Sequence, residues 1–272
     1  MDTSAPEVQP RDDTRVRQAA GYLIARWTAA LILILCPFAS VRADYDCFYT
    51  SSTLIVDGLL NEPAWEIAPV ITFMLPVTHD APQSRTEGRL VWTDERLYIV
   101  MKAWDEDLCG EMTERDSSTW KDDVLETFLR PLPGEPVYYN FEINVLATVY
   151  DAENRQPDTP PSVSLGPAPR RRVNSREEWN CAGLEHAVQC AGTINNFQDR
   201  DQFWVLEMSI PFKSLPILNG RPPAPGDIWE FLLARYDYST YLPQGKELSS
   251  CAPLRAVNFH ALDDYINLRF IK

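Results

Sequence analysis

The sequence predicts an all-β sandwich. Short runs rich in β-branched and aromatic residues recur along the chain, each closed by turn-forming residues. Pro is frequent (22), and Trp (8) and Tyr (11) are abundant, a composition of short strands and many turns. Beyond the N-terminal segment, no long stretch keeps a helical apolar period.

The strand-like runs come in this order. Residues 53–57 (TLIVD) lead into Gly58. Residues 89–92 and 97–101 flank the turn 93–96 (TDER), a compact hairpin signal. Residues 124–129 run into a Pro-Leu-Pro-Gly turn. In 137–145, alternation puts Phe141, Ile143 and Val145 on one face and Asn140, Glu142 and Asn144 on the other. Residues 203–210, 228–236 and 265–271 complete the set. Residues 155–176 (RQPDTPPSVSLGPAPRRRVNSR) are the chief irregularity, a Pro/Arg-rich surface loop. Its Arg170-Arg171-Arg172 is a candidate protein-contact patch, although a solvated loop is the simpler reading.

The first 43 residues read as a signal segment outside the sandwich. Arg11, Arg15, Arg17 and Arg26 precede the apolar 27–35 (WTAALILIL), and Val41-Arg42-Ala43 ends on a small residue. That order predicts export and cleavage after Ala43. The apolar run is well short of the ~20 residues that span a bilayer, which disfavours an uncleaved anchor. The bulky Leu35 disfavours lipidation at Cys36. The domain is then 44–272, secreted, periplasmic or at the cell surface. The formal charge of −14 becomes −15 once five basic and four acidic residues are removed with 1–43. Such acidity argues against sequence-independent nucleic-acid binding and against docking on anionic lipid.

An exported chain can form disulfides. Of the remaining Cys47, Cys109, Cys181, Cys190 and Cys251, the nearest two, Cys181 and Cys190, lie in a loop-like stretch (CAGLEHAVQC) and are the expected pair. His186 between them permits a metal reading, but no fourth ligand is visible for zinc.

Several motifs resemble, in order, those of family 9 carbohydrate-binding modules and related DOMON-like sandwiches. They are IVDGLLNEPAW (55–65), VWTDERLY (91–98) followed by Asp105, WKDDVLETF (120–128), and Tyr138-Tyr139 leading to FEIN (141–144). WVLEMSIP (204–211), PGDIW (225–229) through Arg235, NFH (258–260) and NLRF (267–270) follow. The resemblance spans about 53–272 and implies an antiparallel jelly-roll-like sandwich. It also implies a non-catalytic domain that grips the end or edge of a glycan by stacking a sugar on aromatic faces. On that basis Trp120 and Phe259 match the stacking aromatics, Glu126 the motif carboxylate and Asn144 the strand amide. The family's sugar-binding members carry Arg where this chain has Glu142, and exchanging a donor for an acceptor changes which hydroxyls can be satisfied.

Each residue also has a plainer reading. Trp120 and Phe259 could be packing aromatics. Glu126 and Glu142 could pair with Arg235 or face a concave ligand surface. The resemblance further implies structural calcium, for which Asp57, Glu62, Asp105, Asp107, Asp122 and Asp123 offer the oxygen ligands calcium takes. Two rival functions remain open. Glu126, Glu142 and Asp123 supply the carboxylates of a glycoside hydrolase. Alternatively, the domain has lost sugar binding for a structural or protein-interaction role, or binds haem through His79, His186 or His260.

Overall fold

The computed structural model describes Met1, residues 44–156, the backbone of 174–176, and residues 178–272. The signal segment and most of the Pro/Arg-rich loop lie outside the described residues. Every element falls within the unit Val41–Lys272.

Among the described residues, thirteen strands and one short helix make up the sandwich, with a few single 3-10 turns. The strands are β1 (Asp44–Tyr49), β2 (Ile71–Thr72), β3 (Thr86–Trp92), β4 (Arg96–Trp104), β5 (Val124–Arg130), β6 (Val137–Asn144) and β7 (Val149–Arg155). After them come β8 (Asn174–Arg176), β9 (Glu185–Ala191), β10 (Phe203–Pro211), β11 (Ile228–Tyr238), β12 (Lys246–Ser250) and β13 (Ile266–Ile271). The helix α1 is Pro63–Ile67. Hydrogen bonding runs β8-β7-β6-β5-β11-β13-β1-β3-β4-β10-β9, with β12 on β11 and β2 on β3.

All these pairings are antiparallel except those of β1, which lies parallel to both β13 and β3. β1 and β13 thereby bridge the two halves of the sandwich. The inner faces share one core. Tyr45 of β1 packs edge-on to Phe231 of β11 at 5.9 Å, and Trp92 of β3 to Phe270 of β13 at 5.3 Å. The halves approach so closely that a Cβ on Gly88 of β3 would stand 2.5 Å from Leu233 Cδ1 of β11.

The hairpin β3–β4 and strands β5, β6, β10, β11 and β13 stand where the sequence puts them. Residues 53–57 form no strand. Leu54 and Val56 instead pack with Trp65 of α1 in a small second core. The loop they begin is tied down by Glu207 of β10. Its carboxylate accepts the backbone N–H groups of Asp57 (3.1 Å) and Gly58 (2.8 Å) and the Trp65 indole N–H (3.2 Å). Gly58 permits this turn with φ +81°.

The expected Cys181–Cys190 disulfide is not formed, and both thiols are free. The stretch is not a loop. After a turn closed by Leu184 N–H donating to Cys181 O (3.1 Å), the chain extends as β9, in which Cys190 pairs with Trp204. Five strand steps of ~3.3 Å separate Glu185 from Cys190, more than a disulfide can span. His186 is used elsewhere, its Nε2 lying 3.1 Å from Ala147 O.

Strand β5 is buried along its whole length, and β6 is buried after Val137. Their inner face carries Leu125, Leu129, Phe141 and Ile143. Their outer face is polar yet also covered, and the candidate site lies there.

Candidate functional site

The β5–β6 register sets Glu126 directly opposite Glu142, Val124 opposite Asn144, and Phe128 opposite Asn140. On the flanking strands, Tyr150 of β7 lies beside Glu142, and Tyr236 of β11 beside Val124. Period-two alternation therefore gathers two carboxylates, two amides and two phenols on one face.

The two carboxylates are deeply buried, Glu126 at 3% and Glu142 at 5% exposure. Glu142 accepts from Thr119 Oγ1 (2.8 Å) and Asn140 Nδ2 (3.0 Å). Burial pushes its carboxyl up to about 7, against the lowering effect of the Thr119 hydroxyl. Burial first, and the Glu142 charge second, push Glu126 well above the usual carboxylate range. Arg235 is paired with neither. Its side chain points to the opposite face and contacts Asp105 and Asp237. With no cation beside them, burial biases both carboxyls toward their protonated forms.

Trp120 and Phe259 occupy different environments. Trp120 sits on the turn Thr119–Lys121, 39% exposed, edge-on to Tyr150 at 5.8 Å. Its carbonyl accepts from Tyr238 Oη (2.9 Å), which fixes the turn. Phe259 is 5% exposed and packs edge-on to Tyr236 at 5.4 Å and Phe128 at 6.5 Å. It covers the polar face and presents no open ring to solvent.

Asn144 is fully engaged within the protein. Its Nδ2 donates to Met112 O (2.8 Å) and Asp122 Oδ2 (2.7 Å), and its Oδ1 accepts from Leu146 N–H (3.1 Å) and Thr148 N–H (2.7 Å). It ties the β6–β7 turn to the loop ahead of β5. The amide in contact with the carboxylate pair is Asn140. Tyr150 and Tyr236 escape a reading of isolated motifs. For Tyr236 the signal lies in β11, since it falls on the Glu126 face once the register is known.

Each of the three histidines is tied to a partner within the fold. His79 Nε2 lies 3.2 Å from Leu254 O, His186 contacts Ala147 O, and His260 Nδ1 lies 2.8 Å from Tyr138 Oη. Burial lowers His260 to about 4, so it is neutral next to the acidic face.

A second acidic cluster lies on the inner side. Asp105, Asp123 and Asp237 bring their oxygens within 4.8 Å of one another. Asp123 accepts Cys109 N–H (2.6 Å) and Tyr238 N–H (2.7 Å). Arg235 Nη2 stands 2.8 Å from Asp105 and 3.3 Å from Asp237. Both oxygens of Asp237 are buried without a hydrogen bond. The other candidate calcium residues lie apart and are used locally. Asp57 caps its own turn at Leu59 N–H, Glu62 accepts Ile55 N–H, Asp107 accepts Thr240, and Asp122 accepts Met112 N–H and Asn144.

The family model described as carbohydrate family 9 binding domain-like matches residues 56–241. The chain belongs to this family. Its fold is similar to that of a proposed carbohydrate-binding protein from Bacteroides uniformis, with a TM-score of 0.57 at 16% identity, over 84% of this chain and 99% of that one. It is also similar to a family 9 carbohydrate-binding module from Caldicellulosiruptor kristjanssonii solved with cellotriose, with a TM-score of 0.54 at 11% identity over 84% and 94% of the two chains. The structure of a family 9 module from the same organism with glucose gives 0.52 at 12% identity, over 83% and 95%. A search of curated proteins finds no match. Among the described residues, no helix is long and apolar enough to cross a membrane.

Proposed function

We propose that this chain is an exported, non-catalytic carbohydrate-binding domain. Its ligand face is the outer face of β5, β6, β7 and β11, and Trp120 is the stacking platform. The observation that carries the reading is the placement of Trp120. It is a large indole held exposed on a fixed turn, at the rim of a face bearing Glu126, Glu142, Asn140, Tyr150 and Tyr236. A pyranose offers an apolar C–H face for the indole and hydroxyls for the polar groups, and an apolar platform with a few convergent polar groups is how such sites are built. Family membership and the oligosaccharide-bound neighbours support the same reading.

Phe259 contributes as the covering wall of the face, and Asn144 by fixing the loop behind it. The arrangement favours binding over hydrolysis. Glycoside hydrolysis sets two carboxyl groups on either side of a bond, ~5–10 Å apart. Glu126 and Glu142 are direct register partners, side by side on adjacent strands.

Calcium belongs to the same reading, at Asp105, Asp123 and Asp237. The donors are all oxygen, as calcium prefers. Arg235 brings one positive charge to three carboxylates, and Asp237 keeps two oxygens without a hydrogen bond.

Calorimetric titration with glucose and cellotriose tests the function. Binding in the wild type that falls at least ~10-fold in Trp120→Ala is expected, by analogy with aromatic anchors at interfaces. A folded wild type that binds neither these sugars nor others on a glycan array overturns the reading.

A further inference from the structure

The outer face has an imbalance that a neutral sugar does not correct. Glu126 and Glu142 stand opposite each other, buried, and among the described residues neither has a cationic partner. The nearest candidates are committed or neutral. Arg235 points to the other face, Arg130 is bound to Glu230 at 2.8 Å, and His260 is held neutral by burial. Among the described residues, none donates a hydrogen bond to Glu126. Asn140, 1% exposed, donates to Glu142 and leaves its own Oδ1 buried without a partner. Among the described residues, the only side-chain donors from other residues to Glu126, Glu142 and Asn140 Oδ1 are Thr119 and Asn140, both to Glu142. Farther along β7 on the same face, Asn154 Nδ2 is a buried donor without a partner among the described residues, suited to a hydroxyl.

The surround is aromatic. Tyr150 is the register partner of Glu142, and its ring meets Trp120. Tyr236 lies close enough that both carboxylates raise its hydroxyl's affinity for its proton, and Phe259 packs on it. Carboxylates behind aromatic walls suit a compact cation, which gains charge-assisted hydrogen bonds and ring-face attraction together. An ammonium supplies three donors and one positive charge. Among the described residues, the other titratable groups near the pair are Tyr236 and Tyr238 on β11, Tyr150 on β7 and Tyr265, and none is a cation.

We infer that the sugar this face takes bears a free amine, so that an amino sugar is preferred over its neutral counterpart, with the ammonium seated between Glu126, Glu142 and Asn140. This rests on the carbohydrate-binding reading and names its ligand class. An ammonium seated there favours the ionised carboxylates, so protons held by the raised carboxyls leave as it binds.

Three matched disaccharides test it by calorimetry: cellobiose, its diamino counterpart chitobiose, and N,N′-diacetylchitobiose, which keeps the nitrogen but loses the charge. The expected result is at least ~10-fold tighter binding of chitobiose than of the other two, in line with charge-assisted bonds outweighing neutral ones. Proton release on binding chitobiose should appear as a buffer-dependent heat. The isosteric Glu126→Gln and Glu142→Gln should each bring chitobiose to within a few-fold of cellobiose. Equal affinity for chitobiose and cellobiose in the wild type overturns the inference and leaves carbohydrate binding standing. So does an amine preference that survives both Gln variants. Failure of all three disaccharides, glucose and cellotriose to bind overturns the carbohydrate reading itself.

Discussion

Two buried acidic clusters lie on opposite sides of the layer formed by β5 and β11. On the inner face, Asp105, Asp123 and Asp237 surround Arg235, whose guanidinium also donates to Trp104 O at 2.9 Å and Thr86 Oγ1 at 3.2 Å. On the outer face, Glu126 and Glu142 meet with no cation among the described residues. The inner arginine links β11 to the ends of β3 and β4, so its charge is part of how the halves are held together. The outer pair links nothing across the sandwich and is poorly satisfied. A buried carboxylate that is paired with a cation serves the fold, whereas one without such a partner is held toward its protonated form and marks a candidate functional site.

The sharpest way to break this comparison is to remove the inner cation. Arg235→Met should leave three carboxylates facing one another and cost about 3–5 kcal/mol, as removal of one partner from a buried ion pair does. Urea unfolding of the variant measures it. A loss below ~1 kcal/mol would show that the inner cluster is no better coupled to stability than a surface pair.

Calcium sharpens the same contrast. An ion at Asp105, Asp123 and Asp237 that binds only the folded chain should stabilise it by about 2.7 kcal/mol at a hundred times its dissociation constant. The melting temperature should rise with calcium, fall with a chelator, and stop responding in Asp237→Asn. A wild-type melting temperature indifferent to both additions removes calcium from the inner cluster.

The outer pair predicts the opposite of acid denaturation. A carboxyl whose pKa is higher in the folded chain makes that chain bind more protons than the unfolded one, so stability falls as pH rises between the two values. For Glu142 the window runs from 4.5 to about 7. The penalty at neutral pH is on the order of 3 kcal/mol, because each tenfold gain in proton affinity is worth about 1.4 kcal/mol and the group is only part-ionised there. Glu142→Gln should therefore raise stability near pH 7 and leave it unchanged near pH 4, with chemical unfolding followed at both. Burial pushes Asp105 of the inner cluster to about 7 as well and also raises Glu126, so a residual slope in Glu142→Gln reports those groups. An unaltered slope would mean that Glu142 does not titrate in this window.

How much of this is legible in the sequence follows from what each feature depends on. The polar face of β6 is readable because alternation is local. That Glu126 meets Glu142 is not, because register depends on how the Pro-Leu-Pro-Gly connection closes the hairpin. The exposure of Trp120 follows from its polar neighbours, but the burial of Phe259 depends on Tyr236 and Phe128, distant in sequence. Residues 53–57 look like a strand because they are apolar, yet their partners are α1 side chains and the carboxylate of Glu207. β9 is hidden because, as the terminal strand of the hydrogen-bonded path, it is only partly buried on both faces and shows no clean alternation.

That hidden strand also accounts for the expected disulfide, and the resulting prediction is the smallest. With Cys181 and Cys190 set apart by an extended strand and all five cysteines of the described domain free, reductant should leave the melting temperature unchanged. Burial pushes every one of these thiols above the ordinary range, Cys190 to about 11, so none is a reactive thiolate at neutral pH. Loss of a native disulfide would typically cost about 2–5 kcal/mol, which a melt with and without dithiothreitol detects. A drop of that size would show that β9 is displaced in solution. The edge strand next to β10 would then be the mobile part of the sandwich, while the two acidic clusters, set between β4, β5, β6 and β11, keep their geometry.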